Sequence, residues 1–340
     1  MERTALNRTL IEAVVTRSLN EIERDPRRGI RKMVDLGAHL AIGRSQRRFL
    51  SLIRQLLNDE STPYYELIER LIRTTRRGNL KRFGIDLGYN SWTLGAAAIR
   101  RRELRHRHNI PWIITCLIGG SDGPGSGELL SLVEQGRAMG VYCYGLVFRT
   151  AAELSACSEV FHRFPDCAFF LFLAPELLNN TTAEQVAECD NLMLFIKAEP
   201  GLWPRAAARL SEQGTLHALY LPYTSAEEAE QALTGRLCDE LAEHDGCVLC
   251  LAAVSDLSPQ TDRAVRDLVY AFRQTPTAPI LAVDYITDCL AIDEIISEDF
   301  CLLFFAHGKT YCKTAQGIHT LDSDFRRQPL TRLLAEALPR

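Results

Sequence analysis

Lys197, Glu199, His217, Asp284 and Asp288 are ionisable residues that fall at or near the ends of apolar runs of strand length. In barrel-type α/β proteins, strand ends are where ligand sites are built. Lys197 and Glu199 are two positions apart, so on a strand they share a side, where they can meet a ligand or simply pair with each other. A second candidate is the stretch Gly119-Gly120-Ser121-Asp122-Gly123-Pro124-Gly125-Ser126-Gly127. It ends at a helix start, and the backbone N–H groups around Gly123, Gly125 and Ser126 are suited to cradling an anion. No Gly-Lys-Ser/Thr follows, so it is not a Walker A loop.

The thiols and imidazoles give weaker signals. Cys247 and Cys250 have Cys-x-x-Cys spacing inside an apolar run, where residues three apart point to opposite faces and do not share a metal. His307 and His319 flank Cys312, with Cys289 and Cys301 nearby. Imidazole and thiolate together can hold zinc, but no pair has tight ligand spacing, and scattered core and surface residues are the plainer account. Gly119-Gly120-Ser121-Asp122-Gly123 has Gly-x-Ser-x-Gly spacing, but nothing marks a base for its serine; His-Glu-x-x-His is missing, and Asp322-Ser323-Asp324 lacks the calcium-loop pattern. No metal ligand set is expected.

The elements that must position these residues follow from pattern. Residues 1–82 carry apolar positions at helical spacing, such as Leu10, Ile11, Val14, Val15 and Leu19, and read as a helical N-terminal region. From residue 83 to 290, short apolar runs alternate with helical stretches. Strands are expected at 111–118, 141–148, 168–173, 192–198, 217–221, 247–254 and 280–285. Helices are expected at 128–139, 151–161, 182–188, 204–213, 226–244 and 259–274. This alternation predicts an α/β fold with a parallel sheet, a full or partial (β/α) barrel of TIM type. No dinucleotide-binding glycine pattern follows the first strand, which removes the main support for a Rossmann fold. Residues 291–340 read as an irregular C-terminal extension, with two short strands around His307-Gly308.

The chain has 340 residues, 46% hydrophobic and 24% charged, enough for a large core. Its 11 cysteines are odd in number and scattered, as in a protein that keeps them reduced. No apolar run reaches the roughly 18 residues of a membrane helix, and the N-terminus lacks a signal core. The expectation is a cytoplasmic protein with no membrane partner. Residues 1–110 hold 23 Lys+Arg against 12 Asp+Glu; the remainder holds 16 against 31. A basic front half can face nucleic acid or an acidic partner. Without a recognisable nucleic-acid module, a basic layer packed beside its own acidic domain is the expectation, and no nucleic acid is expected.

Several segments, in order, carry a resemblance. They are Phe83-Gly84-Ile85-Asp86-Leu87-Gly88-Tyr89-Asn90-Ser91-Trp92, Asn109-Ile110-Pro111-Trp112, Glu134-Gln135-Gly136-Arg137-Ala138-Met139-Gly140 with Tyr142-Cys143-Tyr144 after it, and Phe164-Pro165-Asp166-Cys167. Together they resemble radical S-adenosylmethionine (SAM) proteins with a helical N-terminal extension. The resemblance implies a barrel with a 4Fe–4S cluster and SAM at the loop after the first strand. Active relatives hold that cluster with three cysteines in a Cys-x-x-x-Cys-x-x-Cys loop, thiolate being the usual ligand. Here the loop is Gly119 to Gly127, shorter and without cysteine. Asp122 and Ser126 fall at the first two cluster positions, and Cys116 lies within the strand. The family's Gly-Gly-Glu-Pro after the second strand is replaced by Leu146-Val147-Phe148-Arg149, and its Thr-Asn-Gly after the third by Leu173-Ala174-Pro175. Lys197-Ala198-Glu199-Pro200-Gly201 keeps a trace of its Glu-Gly.

The resemblance and these departures lead to an expectation of a radical SAM-like pseudoenzyme without cluster or SAM. It would act as a binding, accessory or regulatory subunit, with an active radical SAM relative as its candidate partner. The alternatives are a cluster-independent enzyme using the barrel mouth, with Lys197, Glu199, His217 and Asp284 as ligand-binding residues, and a radical SAM enzyme with atypical cluster ligands. Trp112, Tyr144 and Phe148 filling the barrel would count against a small-molecule role.

Overall fold

The apolar runs become strands buried on both faces, and the amphipathic stretches between them become covering helices. The structure, a computed structural model, describes residues 2–40, 44–120, 122–254, 257–297 and 299–339; Ser121 of the glycine-rich loop lies outside them. The N-terminal layer comprises α1 (Glu2–Arg24), α2 (Pro26–Leu40), α3 (Arg44–Leu56), α4 (Tyr64–Thr74) and α5 (Arg77–Ile85). It continues beyond residue 82 into a π-helix, Asp86–Gly95, and α6 (Ala96–His106).

Strands and helices then alternate: β1 (Ile113–Leu117), α7 (Ser126–Met139), β2 (Cys143–Val147), α8 (Ala151–Ala156), α9 (Ser158–Arg163), β3 (Ala168–Leu173), α10 (Asn180–Ala187) and β4 (Leu192–Lys197). There follow α11 (Trp203–Glu212), β5 (His217–Tyr223), α12 (Ala226–Thr234), α13 (Arg236–Glu243), β6 (Val248–Ala253), α14 (Pro259–Gln274), β7 (Leu281–Asp284) and α15 (Tyr285–Ser297). The chain ends with β8 (Leu302–Ala306), β9 (Lys309–Thr314), β10 (Gly317–Leu321) and α16 (Leu330–Ala337). The stretch 226–244, expected as one helix, divides at Gly235, and 151–161 divides at Cys157. Helix starts are set locally: Thr150, Asn179, Ser225 and Ser258 each accept a first-turn N–H with their side chains, about 1 kcal/mol apiece.

The described strands form one ten-stranded sheet, in the order β10-β9-β8-β1-β2-β3-β4-β5-β6-β7. From β8 through β1 to β7 the pairing is parallel, the order of a (β/α)8 barrel, but β7 and β8 do not pair; the barrel is partial. Two features keep it open. The outer edge of β8 is taken by β9 in an antiparallel ladder, Leu303 opposite Cys312. The outer edge of β7 is taken by side chains: Arg273 Nε donates to Ala282 O at 2.6 Å, and Asp288 accepts from Asp284 N at 2.9 Å. Arg273 and Asp288 are themselves ion-paired. The tail therefore contributes a strand beside β1.

The helical layer covers the N-terminal ends of the strands. Asn79, fully buried, donates to Asp190 O and Leu192 O at 2.8 and 2.9 Å and accepts from Leu216 N at 2.7 Å, tying α5 to the starts of β4 and β5. Arg73 and Arg76 pair with Asp245 and Asp190 before β6 and β4. The π-helix lies under β2 and β3, where Asn90 Nδ2 donates to Asp166 O at 3.0 Å. Gly95 permits that approach: a Cβ there would fall 2.3 Å from Gly140 O.

Candidate site at the barrel mouth

At the C-terminal ends of the strands, alternation turns one residue in two toward the barrel interior. Thr115 and Leu117 of β1, Val147 of β2, Phe172 of β3, Tyr220 of β5, Ala252 of β6, Phe304 and Ala306 of β8, and Tyr285 after β7 line a cavity of about 260 Å3. Phe172 is its central wall. Tyr220 and Tyr285 stand nearly perpendicular to it at 5.3 and 5.1 Å, and Phe195 stacks against it at 4.8 Å. The hydroxyls of Thr115 and Tyr285 are hydrogen-bonded at 2.8 Å. Gly145 is required beneath them, since a Cβ there would lie 2.4 Å from Tyr285 Oη. Among the described residues, no ionisable acid or base other than the two tyrosines lines this cavity. Burial pushes the Tyr220 hydroxyl up to about 12.

Trp112, Tyr144 and Phe148 do not fill it. Tyr144 Oη reaches the carbonyls of Val133 and Val141 under α7, Trp112 Nε1 donates to Cys289 O, and Phe148 is buried away from the cavity wall.

The residues singled out from sequence are dispersed. Lys197 ends β4 opposite Tyr220, and its Nζ pairs with Glu199 at 2.9 Å; both side chains are about two-fifths exposed at the rim. His217 starts β5, at the opposite end of the sheet; its Nδ1 is 2.8 Å from Thr215 O, and burial lowers its pKa. Asp284 is the residue before α15: its Oδ1 accepts from Thr287 N at 2.8 Å, as an N-cap does, and Oδ2 accepts from Tyr223 Oη at 2.6 Å. Burial raises its pKa. Asp288 covers the β7 edge. None of this set lines the cavity: Lys197 is the strand neighbour of Tyr220, with Glu199 as its ion-pair partner, His217 is at the far end, and Asp284 is turned toward Tyr223.

The glycine-rich loop has its own counter-ions. Gly120 N donates to Glu153 Oε1 at 3.1 Å, while Glu153 Oε2 accepts from Arg149 N and Thr150 N at 3.1 and 3.0 Å. Gly125 N donates to Glu128 Oε2 at 2.9 Å, completing the cap of α7. Gly119 N donates to Pro124 O, and Gly123 is packed against Gly119. The amides of Gly120 and Gly125 are thus held by the chain's own carboxylates, and the N–H of Ser126 opens α7.

The cysteines are buried and apart from the loop. Cys116 alternates with the inward Thr115 and Leu117, and its thiol is pushed far up by burial and by Asp324. Cys247 contacts the carbonyls of Leu67 and Asp245, whereas Cys250 contacts Leu251 O. In the tail, His319 Nε2 is 2.6 Å from Ala337 O, and His307 takes a left-handed turn. Among the described residues, no group of three or more His, Cys, Asp or Glu is arranged to hold a metal. No described helix is long and apolar enough to cross a membrane.

Phe172, Tyr220, Tyr285 and Phe304, the walls of the site, were not marked by sequence. Within a run such as Ala168–Leu173 every residue is apolar, so no alternation reveals which side faces in. The usable signal was the hydroxyl-bearing Thr115 and Tyr220 inside otherwise apolar strands.

No protein-family model matches the sequence, and comparison with curated proteins finds no match. Among solved structures, the chain is similar to SuiB from Streptococcus suis bound to S-adenosylmethionine, with 11% identity and a TM-score of 0.42, over 54% of this chain and 53% of that one. It is also similar to TsrM, a radical S-adenosylmethionine methyltransferase from Kitasatospora setae with cobalamin and a 4Fe–4S cluster bound, with 11% identity and a TM-score of 0.31, over 57% and 47%. The chain spans about half the length of these two proteins. The barrel-type fold itself rests on the chain's own strand order.

Proposed function

We propose that this chain is a radical SAM-like barrel whose mouth works without an iron–sulfur cluster or SAM, as a binding or accessory subunit, paired with an intact radical SAM relative. The observation that carries the reading is the loop after β1. It contains no cysteine, and two of its amides are held by Glu153 and Glu128. Thiolate is the usual ligand of such clusters, and Cys116, the cysteine next to the loop in sequence, alternates with the inward Thr115 and Leu117 and is fully buried on the outer face of β1. These residues do not fit a three-thiolate cluster. The small apolar cavity adds support, because a charged cofactor there would lose its hydration without a paired group.

The test is anaerobic purification followed by reconstitution with iron and sulfide, then iron content, visible absorption and equilibrium dialysis against SAM. The expected result is no stoichiometric iron and no retained SAM. A stoichiometric cluster that binds SAM would overturn the reading in favour of atypical ligands. The partner is tested by mixing the chain with an intact radical SAM relative encoded beside it and measuring complex mass; separate species would remove the pairing.

A further inference from the structure

We propose that the aromatic cavity at the barrel mouth binds a neutral planar aromatic molecule bearing one hydrogen-bonding substituent, of the phenol or indole class. This rests on the binding-subunit reading above and names the ligand of that same site.

The cavity exists because β6 places Ala252 and Ala253 between Tyr220 of β5 and Tyr285 at the start of α15. Two small residues among large ones leave a void with room for a one- or two-ring molecule. The walls select its kind. Phe172, with Tyr220 and Tyr285 perpendicular to it, offers ring faces and edges together, and aromatic groups pack on one another in this edge-to-face manner. The backing of Phe195 and the Thr115–Tyr285 hydrogen bond hold those rings in place, so the cavity is built before a ligand arrives. Charge is selected against. Among the described residues no Asp, Glu, Lys or Arg lines the space, and the nearby pair Lys197–Glu199 is already mutual. A carboxylate or ammonium inside would be desolvated without a partner. One polar handle remains: Tyr220 Oη has no hydrogen bond among the described residues and, with its raised pKa, stays a neutral donor.

The experiment titrates the full chain, as purified, with phenol, indole, toluene, cyclohexanol and tetramethylammonium, read by calorimetry and ligand-observed NMR. Phenol and indole are expected to bind in preference to cyclohexanol and tetramethylammonium. Tyr220→Phe should weaken phenol roughly 2- to 10-fold, the worth of one hydrogen bond, and leave toluene unchanged. Ala252→Phe should fill the cavity and abolish binding while the chain remains folded by circular dichroism; Ala253→Leu makes the same test if that variant does not fold. No aromatic binding up to the solubility limit, tighter binding of the cation, or binding undiminished by the filling variants would each overturn the proposal. Failure here with no cluster on reconstitution would sink only the ligand assignment, whereas assembly of a SAM-binding cluster would sink the reading beneath it.

Discussion

Asp86, in the first turn of the π-helix, has no solvent exposure; Oδ1 accepts from Asn90 Nδ2 at 2.8 Å, and Oδ2 has no partner among the described residues. Asp166 Oδ1 and Ser91 Oγ nearby in the same region are likewise without partners. Burial, only partly offset by Arg82 and Arg8, pushes Asp86 from 3.8 up to about 8. The folded chain therefore holds a proton at pH 7 that the unfolded chain releases. Stability from this group is full below about pH 4 and is lost as pH rises toward about 8, with a slope approaching 1.4 kcal/mol per pH unit between. Asp86→Asn removes the titration. In urea unfolding at pH 5, 6, 7 and 9, the variant should gain on the parent chain as pH rises and the gain should level off above about 8. A stability difference that does not change with pH would refute this. The π-helix hydrogen bonds that place Asp86 here run from residue i+5, as in Ala96 N to Ser91 O; the wider turn carries no composition signature, so this site was not legible in sequence although Asp86 itself was quoted in the resemblance.

The parallel strands were legible because both faces are buried, the outer under helices and the inner within the partial barrel, so each strand becomes a continuous apolar run bounded by capping residues and glycines. Closure was not legible. It is decided by one side-chain pair, Arg273 and Asp288, whose partners are the backbone groups of Ala282 and Asp284, and by β9, which reads as a short strand but whose pairing on the outer edge of β8 leaves no mark in the sequence. Nor could sequence tell that Asp284 caps α15, since an acid after a strand looks the same whether it faces a ligand or a helix N-terminus. The Arg273–Asp288 pair also protects β7, because an uncovered edge recruits other strands. Arg273→Met should cost about 2 kcal/mol, the partly exposed pair being discounted for solvent, and should bring concentration-dependent self-association. Urea titration and sedimentation velocity measure the two effects. An unchanged midpoint with a monomeric variant would show that the edge needs no cover.

At the scale of the whole molecule, the basic front half meets the acidic remainder at the strand starts. The exposed pairs Arg73–Asp245 and Arg76–Asp190 are each worth about 0–1 kcal/mol, so charge alone does not bind the layer. The buried bonds do more: releasing α5 would leave Leu216 N and the carbonyls of Asp190 and Leu192 without Asn79, and a buried polar group left unpaired costs about 1–3 kcal/mol. Phe49 of α3 stacks on Trp92 of the π-helix at 4.8 Å, and Trp92 meets Trp112 before β1 at 5.9 Å, so packing is continuous from layer to barrel. The layer and barrel should therefore unfold together. Single-tryptophan chains report each part: Trp92 alone, with Trp112→Phe and Trp203→Phe, reads the layer, and Trp203 alone, with Trp92→Phe and Trp112→Phe, reads α11 on the barrel. Within each chain, tryptophan fluorescence and far-ultraviolet circular dichroism should give one urea midpoint and one slope, little moved by salt. A layer that melts before the barrel, with Trp92 fluorescence changing ahead of the circular dichroism, would instead make the mouth and its cavity independent of residues 1–106, and a truncated barrel would then keep its aromatic ligand.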